Sequence, residues 1–186
     1  MNEFLELEYK YKADDIKLQD FLNLMKTLPI VKQKEVSGWD TYYVNDSLKD
    51  EFIRYRASET SELTIKRKTN QNNNWQRLEV DLPLREVNKT VVSKFAELLG
   101  YKENTSIFKN CFIFWLDYIN FVFYIIYDIN MEEKGRFIEV EINKERLGKE
   151  VVLVEDNLRR GQEILAKLGL NSQNRLKKSL YEIFVK

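Results

Sequence analysis

The sequence predicts an α+β protein: an eight-stranded, mainly antiparallel β-barrel flanked by α-helices. Three observations lead there. Alternating, β-prone runs recur at about 3–11, 40–45, 51–58, 62–68, 75–82, 107–115, 121–129 and 135–143. Polar clusters between most of them are short enough for hairpins, which makes the strands mainly antiparallel. In strand after strand the charged residues fall on one face, and they are sorted by sign.

The first strand is the most informative. Glu6-Leu7-Glu8-Tyr9-Lys10 alternates acid, apolar, acid, aromatic and base. Side chains at i, i+2 and i+4 share a face, so Glu6, Glu8 and Lys10 lie on one side and Leu5, Leu7, Tyr9 and Tyr11 on the other. Two carboxylates beside an ammonium can hold a hard cation and a phosphate together. Alone, the pentad better fits an ordinary half-exposed strand with its charges in water.

A helix follows over about 14–27, with Leu18, Leu22, Met25 and Leu28 on one stripe. In the middle strands Arg54 and Arg56 alternate with Ile53 and Tyr55, and Lys66 and Lys68 follow Leu63 and Ile65. Arg77, Glu79 and Asp81 alternate with Leu78, Val80 and Leu82. Turns are expected at Asn45-Asp46-Ser47, Ser58 to Ser61, Thr69 to Asn74, Asp117 to Asn120 and Asn130 to Lys134, with Asn72-Asn73-Asn74 a hairpin tip. A second helix over about 88–99 carries Val91, Phe95, Leu98 and Leu99 on its apolar stripe, between an Asn88 N-cap and Gly100. Glu139 and Glu141 then repeat the opening pattern among Ile138, Val140 and Ile142. Helices at about 155–168, ending at Gly169, and 174–184 complete the chain.

Composition narrows the chemistry. With 186 residues and no Pro- or Gly-rich linker, residues 1–186 read as one domain. Lys plus Arg and Asp plus Glu number 30 each, leaving no positive excess to drive binding to nucleic acid. There is no histidine, which removes Ser-His-Asp chemistry and imidazole metal sites. The single cysteine, Cys111, permits no internal disulfide and reads as an inert buried thiol; a cytoplasmic location is expected. No signal-peptide pattern opens the chain, and the apolar stretch from Cys111 to Ile129 is broken by Asp117, Asn120 and Asp128, so no membrane span is expected.

Sorted signs argue against a plain solvated sheet, where mixed signs avoid like-charge neighbours across strands. A barrel with these faces inward puts bases on one wall and acids on another, with the apolar faces outward under the helices. Such a lumen suits a polyanion plus divalent cations.

The same residues carry a family resemblance. Glu6-Leu7-Glu8-Tyr9-Lys10 resembles the ExExK signature of the CYTH superfamily, or triphosphate tunnel metalloenzymes, which includes class IV adenylate cyclases, thiamine triphosphatases and inorganic triphosphatases. Asp40-Thr41-Tyr42-Tyr43 is similar to the second strand of that family, Ile53-Arg54-Tyr55-Arg56 to the third and Leu63-Thr64-Ile65-Lys66 to the fourth. Arg77-Leu78-Glu79 is similar to the fifth, Gly135 to Glu141 to the late acidic strand, and Lys178-Ser179 with Glu182 to the C-terminal helix that helps close the tunnel. Two departures stand out. Lys109 is followed by Asn110 and Cys111 where a Lys-x-Arg pair is frequent, and the last helix reads Ser179-Leu180-Tyr181-Glu182 where Ser-Tyr is more usual.

The resemblance implies that Glu6, Glu8, Asp128, Glu139 and Glu141 bind Mg²⁺ or Mn²⁺, and that Lys10, Arg54, Arg56, Lys66, Arg77, Lys109 and Lys178 hold phosphates. Glu6, Glu8, Lys10, Arg54, Arg56 and Lys66 form its expected catalytic group, while Lys68, Glu79 and Asp81 could simply balance neighbouring charge. The expected activity is hydrolysis of a small triphosphate by a monomer or homodimer. Conversion of ATP to cyclic AMP is the alternative, with any adenine site among Tyr42, Tyr43, Phe112 and Trp115. A non-catalytic polyphosphate binder would keep the bases and lose the metal carboxylates.

Overall fold

Strands form where aromatic and β-branched residues alternate with charge, and the computed structural model joins them into the expected antiparallel sheet. It describes residues 5–48, 50–68, 76–85, 87–142 and 153–184, with the side chains of residues 5–7, 76, 77 and 153 outside that description. The expected hairpin tip at 72–74 also lies outside it.

Among the described residues there are nine strands: β1 (Leu5–Lys12), β2 (Lys32–Val44), β3 (Glu51–Ala57), β4 (Ser61–Lys68), β5 (Gln76–Leu84), β6 (Lys102–Trp115), β7 (Ile119–Tyr127), β8 (Glu133–Ile142) and β9 (Arg175–Leu176). The helices are α1 (Leu18–Met25), α2 (Lys89–Leu98), α3 (Leu153–Leu165) and α4 (Leu180–Phe184). All the pairings are antiparallel, in the order β5-β4-β3-β2-β6-β7-β8-β1-β9. β1 also pairs with β5 through Leu5↔Leu78, Glu6↔Arg77 and Leu7↔Gln76, so the pairing of eight strands runs full circle across a three-residue seam. Farther along β1 the same edge is taken by β9, at Lys10↔Leu176 and Tyr11↔Arg175.

The ninth strand corrects the expected helix over 174–184. Arg175 and Leu176 extend to pair with β1, and the helix starts only at Leu180. β2 and β6 also begin earlier than their alternation suggests. Their long mutual pairing, from Lys32↔Trp115 to Val44↔Lys102, supplies backbone hydrogen bonds where side-chain patterning is weak.

The outer face carries two apolar layers. Phe21, Leu24 and Met25 of α1 and Leu158 and Leu165 of α3 pack with Phe121, Phe123, Ile138 and Val140 of the sheet. Each such side chain contributes about 1.5–3 kcal/mol when fully buried. Gly161 lets α3 come close: a Cβ there would lie 2.3 Å from Val140 Cγ1. Gly161→Ala should therefore lower stability by about 1–2 kcal/mol, the overpacking exceeding alanine's helix preference. Thermal denaturation checks this, and an unchanged or higher midpoint would contradict the close approach.

The second layer corrects the expectation for α2. Its buried residues are Val92 and Ala96, against Tyr43, Ile53, Tyr55 and Leu63. Val91, Phe95, Leu98 and Leu99 instead face outward, at 50–76% exposure. Tall strand side chains leave room beneath the helix only for small residues. Among the described residues no helix is long and apolar enough to cross a membrane.

Candidate functional site

The inward faces of the strands enclose a cavity of about 410 Å³. At one end it meets an apolar plug, where Leu180 of α4 packs with Tyr42, Phe52, Tyr124 and Phe137. Tyr181 stacks on Phe52 at 4.6 Å between ring centroids and also lines the cavity. Ser179 begins this cover, since its hydroxyl accepts the Glu182 N–H while the Glu182 carboxylate accepts the Ser179 N–H.

One wall is acidic. Strand parity points Glu8 and Lys10 of β1 inward beside Glu139 and Glu141 of β8, with Glu8 opposite Glu141 and Lys10 opposite Glu139. Glu8, Glu139 and Glu141 each offer a carboxylate oxygen, and these three lie within 4.8 Å of one another. The Lys10 ammonium sits 2.8 Å from Glu8 Oε1 and 2.9 Å from Glu139 Oε1. The hard oxygens of three close carboxylates in a partly closed lumen fit a divalent cation. Burial pushes the Glu139 carboxyl up, but Lys10 and Lys109, with hydrogen bonds from Lys10 and Tyr124, outweigh that and leave it below the usual carboxylate range.

The facing wall is basic, built from Arg54 and Arg56 of β3, Lys66 of β4 and Lys109 of β6. Arg54, Lys66 and Lys109 are each under 10% exposed. Buried charges require partners, and each base has one. Arg56 donates from Nε and Nη2 to the two oxygens of Asp40 at 2.8 and 2.9 Å. Arg54 Nη2 donates to Thr64 Oγ1 at 2.8 Å and to Glu62 at 3.2 Å, while Lys66 Nζ sits 3.3 Å from Glu79. Arg54 Nε is buried and has no partner. Tyr124 joins the walls: its hydroxyl donates to Glu139 at 2.7 Å, and Lys109 Nζ lies 4.2 Å from its ring centroid.

The expected site residues divide accordingly. Glu8, Lys10, Arg54, Arg56, Lys66, Lys109, Glu139 and Glu141 converge on the cavity. Glu6 and Arg77 are opposite each other in the β1–β5 seam, and their side chains lie outside the described residues. Asp128 is not brought in. It lies just beyond β7, where its carboxylate accepts the N–H groups of Asn130 and Glu132 and pairs with Lys134 at 2.8 Å. Local turn hydrogen bonds have claimed the oxygens that the resemblance assigned to metal. Lys178 is exposed, one residue before the cavity-lining Ser179, and does not line the cavity.

Three contributors were not anticipated. Asp40, 1% exposed, is the anchor of Arg56; Tyr124 bridges the walls; Asn120 lines the acidic end. No signal in the sequence marks Asp40, whose partner Arg56 is set by the β2–β3 register. Burial pushes the Asp40 carboxyl up, but Arg56, helped by Arg54 and Lys109, holds it well below the usual range. Cys111 lines the cavity where a second base was expected, and burial raises its thiol pKa despite Lys109 and Arg56. Of the four aromatic residues considered for adenine, Tyr42 and Trp115 line the cavity, whereas Tyr43 packs beneath α2 and Phe112 against the α1 and α3 layer.

No protein-family model and no curated protein matches the chain. Solved structures do. A conserved hypothetical protein from Pyrococcus furiosus is 22% identical, with a TM-score of 0.71 over 96% of this chain and 99% of its own. A Vibrio parahaemolyticus protein described as a "putative adenylate cyclase" is 15% identical, with a TM-score of 0.69 over 96% and 97% of the two chains. The Schizosaccharomyces pombe Pct1 RNA triphosphatase, in complex with the Spt5 CTD, is 14% identical, with a TM-score of 0.53 over 96% of this chain and 88% of its own. At these identities the likeness is one of fold, and the chain has the tunnel fold that its resemblance to the CYTH, or triphosphate tunnel, proteins implied.

Proposed function

We propose that the protein hydrolyses a small triphosphate held in this cavity, with a divalent cation, Mg²⁺ or Mn²⁺, on the acidic wall. One observation carries the reading: Glu8, Glu139 and Glu141 share a single partly closed cavity with Arg54, Arg56, Lys66 and Lys109. Arginine forks and lysine ammonium groups hold phosphate oxygens, and buried ones do so without competition from bulk water. Bases fixed by acid partners need no rearrangement as charge moves onto a departing phosphate oxygen. Glu8, Glu139 and Glu141 would hold the cation, which when bound would polarise phosphate oxygens and acidify a water molecule. With no histidine in the chain, a lining carboxylate takes the proton of the attacking water as its oxygen bonds to phosphorus and the bridging P–O bond breaks.

Hydrolysis is preferred to cyclisation because a cyclase must also seat adenine and hold the ribose 3′-hydroxyl in line with the α-phosphorus. Every charged group lining this cavity suits a phosphate or a cation. The test is a panel of tripolyphosphate, thiamine triphosphate and ATP with Mg²⁺, Mn²⁺ or excess chelator, separating phosphate, pyrophosphate and cyclic AMP. Tripolyphosphate should be the best substrate, ATP should release phosphate, and chelation should abolish turnover. Cyclic AMP with pyrophosphate as the main products would establish the cyclase instead. Full activity in chelator would remove the cation, and tight binding without turnover would make the protein a polyphosphate binder.

A further inference from the structure

Among the described residues, two buried side-chain polar atoms have no hydrogen-bond partner: Arg54 Nε and Asn120 Oδ1. Both residues line the same cavity. Leaving a buried donor or acceptor unpaired costs about 1–3 kcal/mol, so two such atoms on residues that line one space point to something that enters it. Their chemistry is opposite. Arg54 Nε is a donor among bases, suited to an anion. Asn120 Oδ1 is an acceptor on the acidic side of the cavity.

Register gives Asn120 its position. It is the cross-strand partner of Glu141 in the β7–β8 ladder, as Val122 is of Glu139. Directly opposed residues on antiparallel strands project from the same face with Cβ atoms about 4.5–5.5 Å apart. Asn120 thus stands beside one member of the carboxylate trio, on the far side of Glu141 from Glu8, which opposes Glu141 from β1. A carbonyl-type oxygen on the residue paired with Glu141, one of three clustered carboxylates, extends a ligand set for a hard cation, which takes amide as well as carboxylate oxygens. Another carboxylate at this position would add repulsion to the trio, whereas a neutral amide adds a ligand without charge.

We infer that Asn120 Oδ1 is a fourth, uncharged oxygen ligand of the cation site formed by Glu8, Glu139 and Glu141. The inference rests on the metal reading of that site. It makes Asn120 a cation-affinity residue with no role in fold stability, because its unpaired oxygen costs the folded state free energy until a cation arrives.

The test uses the whole chain without substrate. Mn²⁺ binding is measured by the loss of the free-ion electron paramagnetic resonance signal, and stability by urea denaturation in chelator. Asn120→Leu should weaken Mn²⁺ binding about tenfold or more, by analogy with the 10- to 100-fold losses on removing residues that support a metal site. Its chelated stability should equal or exceed that of the wild type. Asn120→Asp, which keeps an oxygen in place, should bind Mn²⁺ at least as tightly as the wild type. Unchanged affinity in Asn120→Leu, or an equal loss in both variants, would overturn the assignment. Glu141→Gln separates this from failure of the underlying site: it should weaken Mn²⁺ binding whatever Asn120 does, and if neither it nor the Asn120 variants alters binding, the cation site itself is refuted.

Discussion

Asp40→Ala should be among the more damaging single substitutions in the chain, lowering stability by about 2–3 kcal/mol, because it takes the carboxylate partner from the partly buried Arg56 guanidinium and the counter-charge from the buried Lys109. Both oxygens of Asp40 accept from Arg56, and Lys109 Nζ lies 4.0 Å from the same carboxylate. Loss of Asp40 therefore unbalances two bases of the phosphate-holding wall together. Urea denaturation of the variant measures the effect, and a loss below about 1 kcal/mol would place the pair in the class of exposed ion pairs. The double variant Asp40→Leu with Arg56→Met should recover much of the stability while remaining inactive, since an apolar pair of similar volume replaces a partly buried ion pair at little cost.

The same pair sets a pH dependence. The folded-state carboxyl of Asp40 is held below its ordinary value, so its stabilising contribution is complete above the unfolded value of about 4 and is lost as pH falls toward the folded one. The stability gap between wild type and Asp40→Ala should be constant from neutral pH down to about 5, then narrow in stronger acid. A gap that widened in acid would mean that Asp40 is protonated in the folded protein.

Much of this site could be read from alternation alone. Once Glu6-Leu7-Glu8-Tyr9-Lys10 and Ile138 to Ile142 are strands, parity puts Glu8, Lys10, Glu139 and Glu141 on one face, and the fold makes those strands neighbours. Parity also found Arg54, Arg56 and Lys66. It could not find what depends on register. Asp40 is one acid in an aromatic strand until the β2–β3 ladder sets it opposite Arg56, and Asn120 sits in an expected turn until β7 begins at Ile119. Asp128 stays away from the cavity for the converse reason: in Asp128-Ile129-Asn130 the carboxylate has backbone N–H groups within reach, and it bonds locally. On α2 the stripe Val91, Phe95, Leu98 and Leu99 has the right period, but Val92 and Ala96 fit under the aromatic strands.

Arg54→Ala should give the largest loss of turnover among the basic-wall variants. Arg56 has its Nε and Nη2 engaged by Asp40, whereas Arg54, also a lining residue, keeps a buried Nε without a partner and is held in place from Nη2 by Thr64 and Glu62. A fixed guanidinium with an uncommitted donor can bond to a phosphate oxygen and bond more strongly as charge develops there. Removing it should lower kcat/KM for tripolyphosphate by about 10³-fold, with kcat falling as well as binding. Arg54→Lys should recover only part, since an ammonium cannot reproduce the planar fork that meets Thr64 and phosphate at once. Steady-state kinetics with chelator-controlled Mg²⁺ distinguishes the outcomes: a rise in KM at unchanged kcat would make Arg54 a binding group only, and wild-type kinetics in Arg54→Ala would remove it from the site.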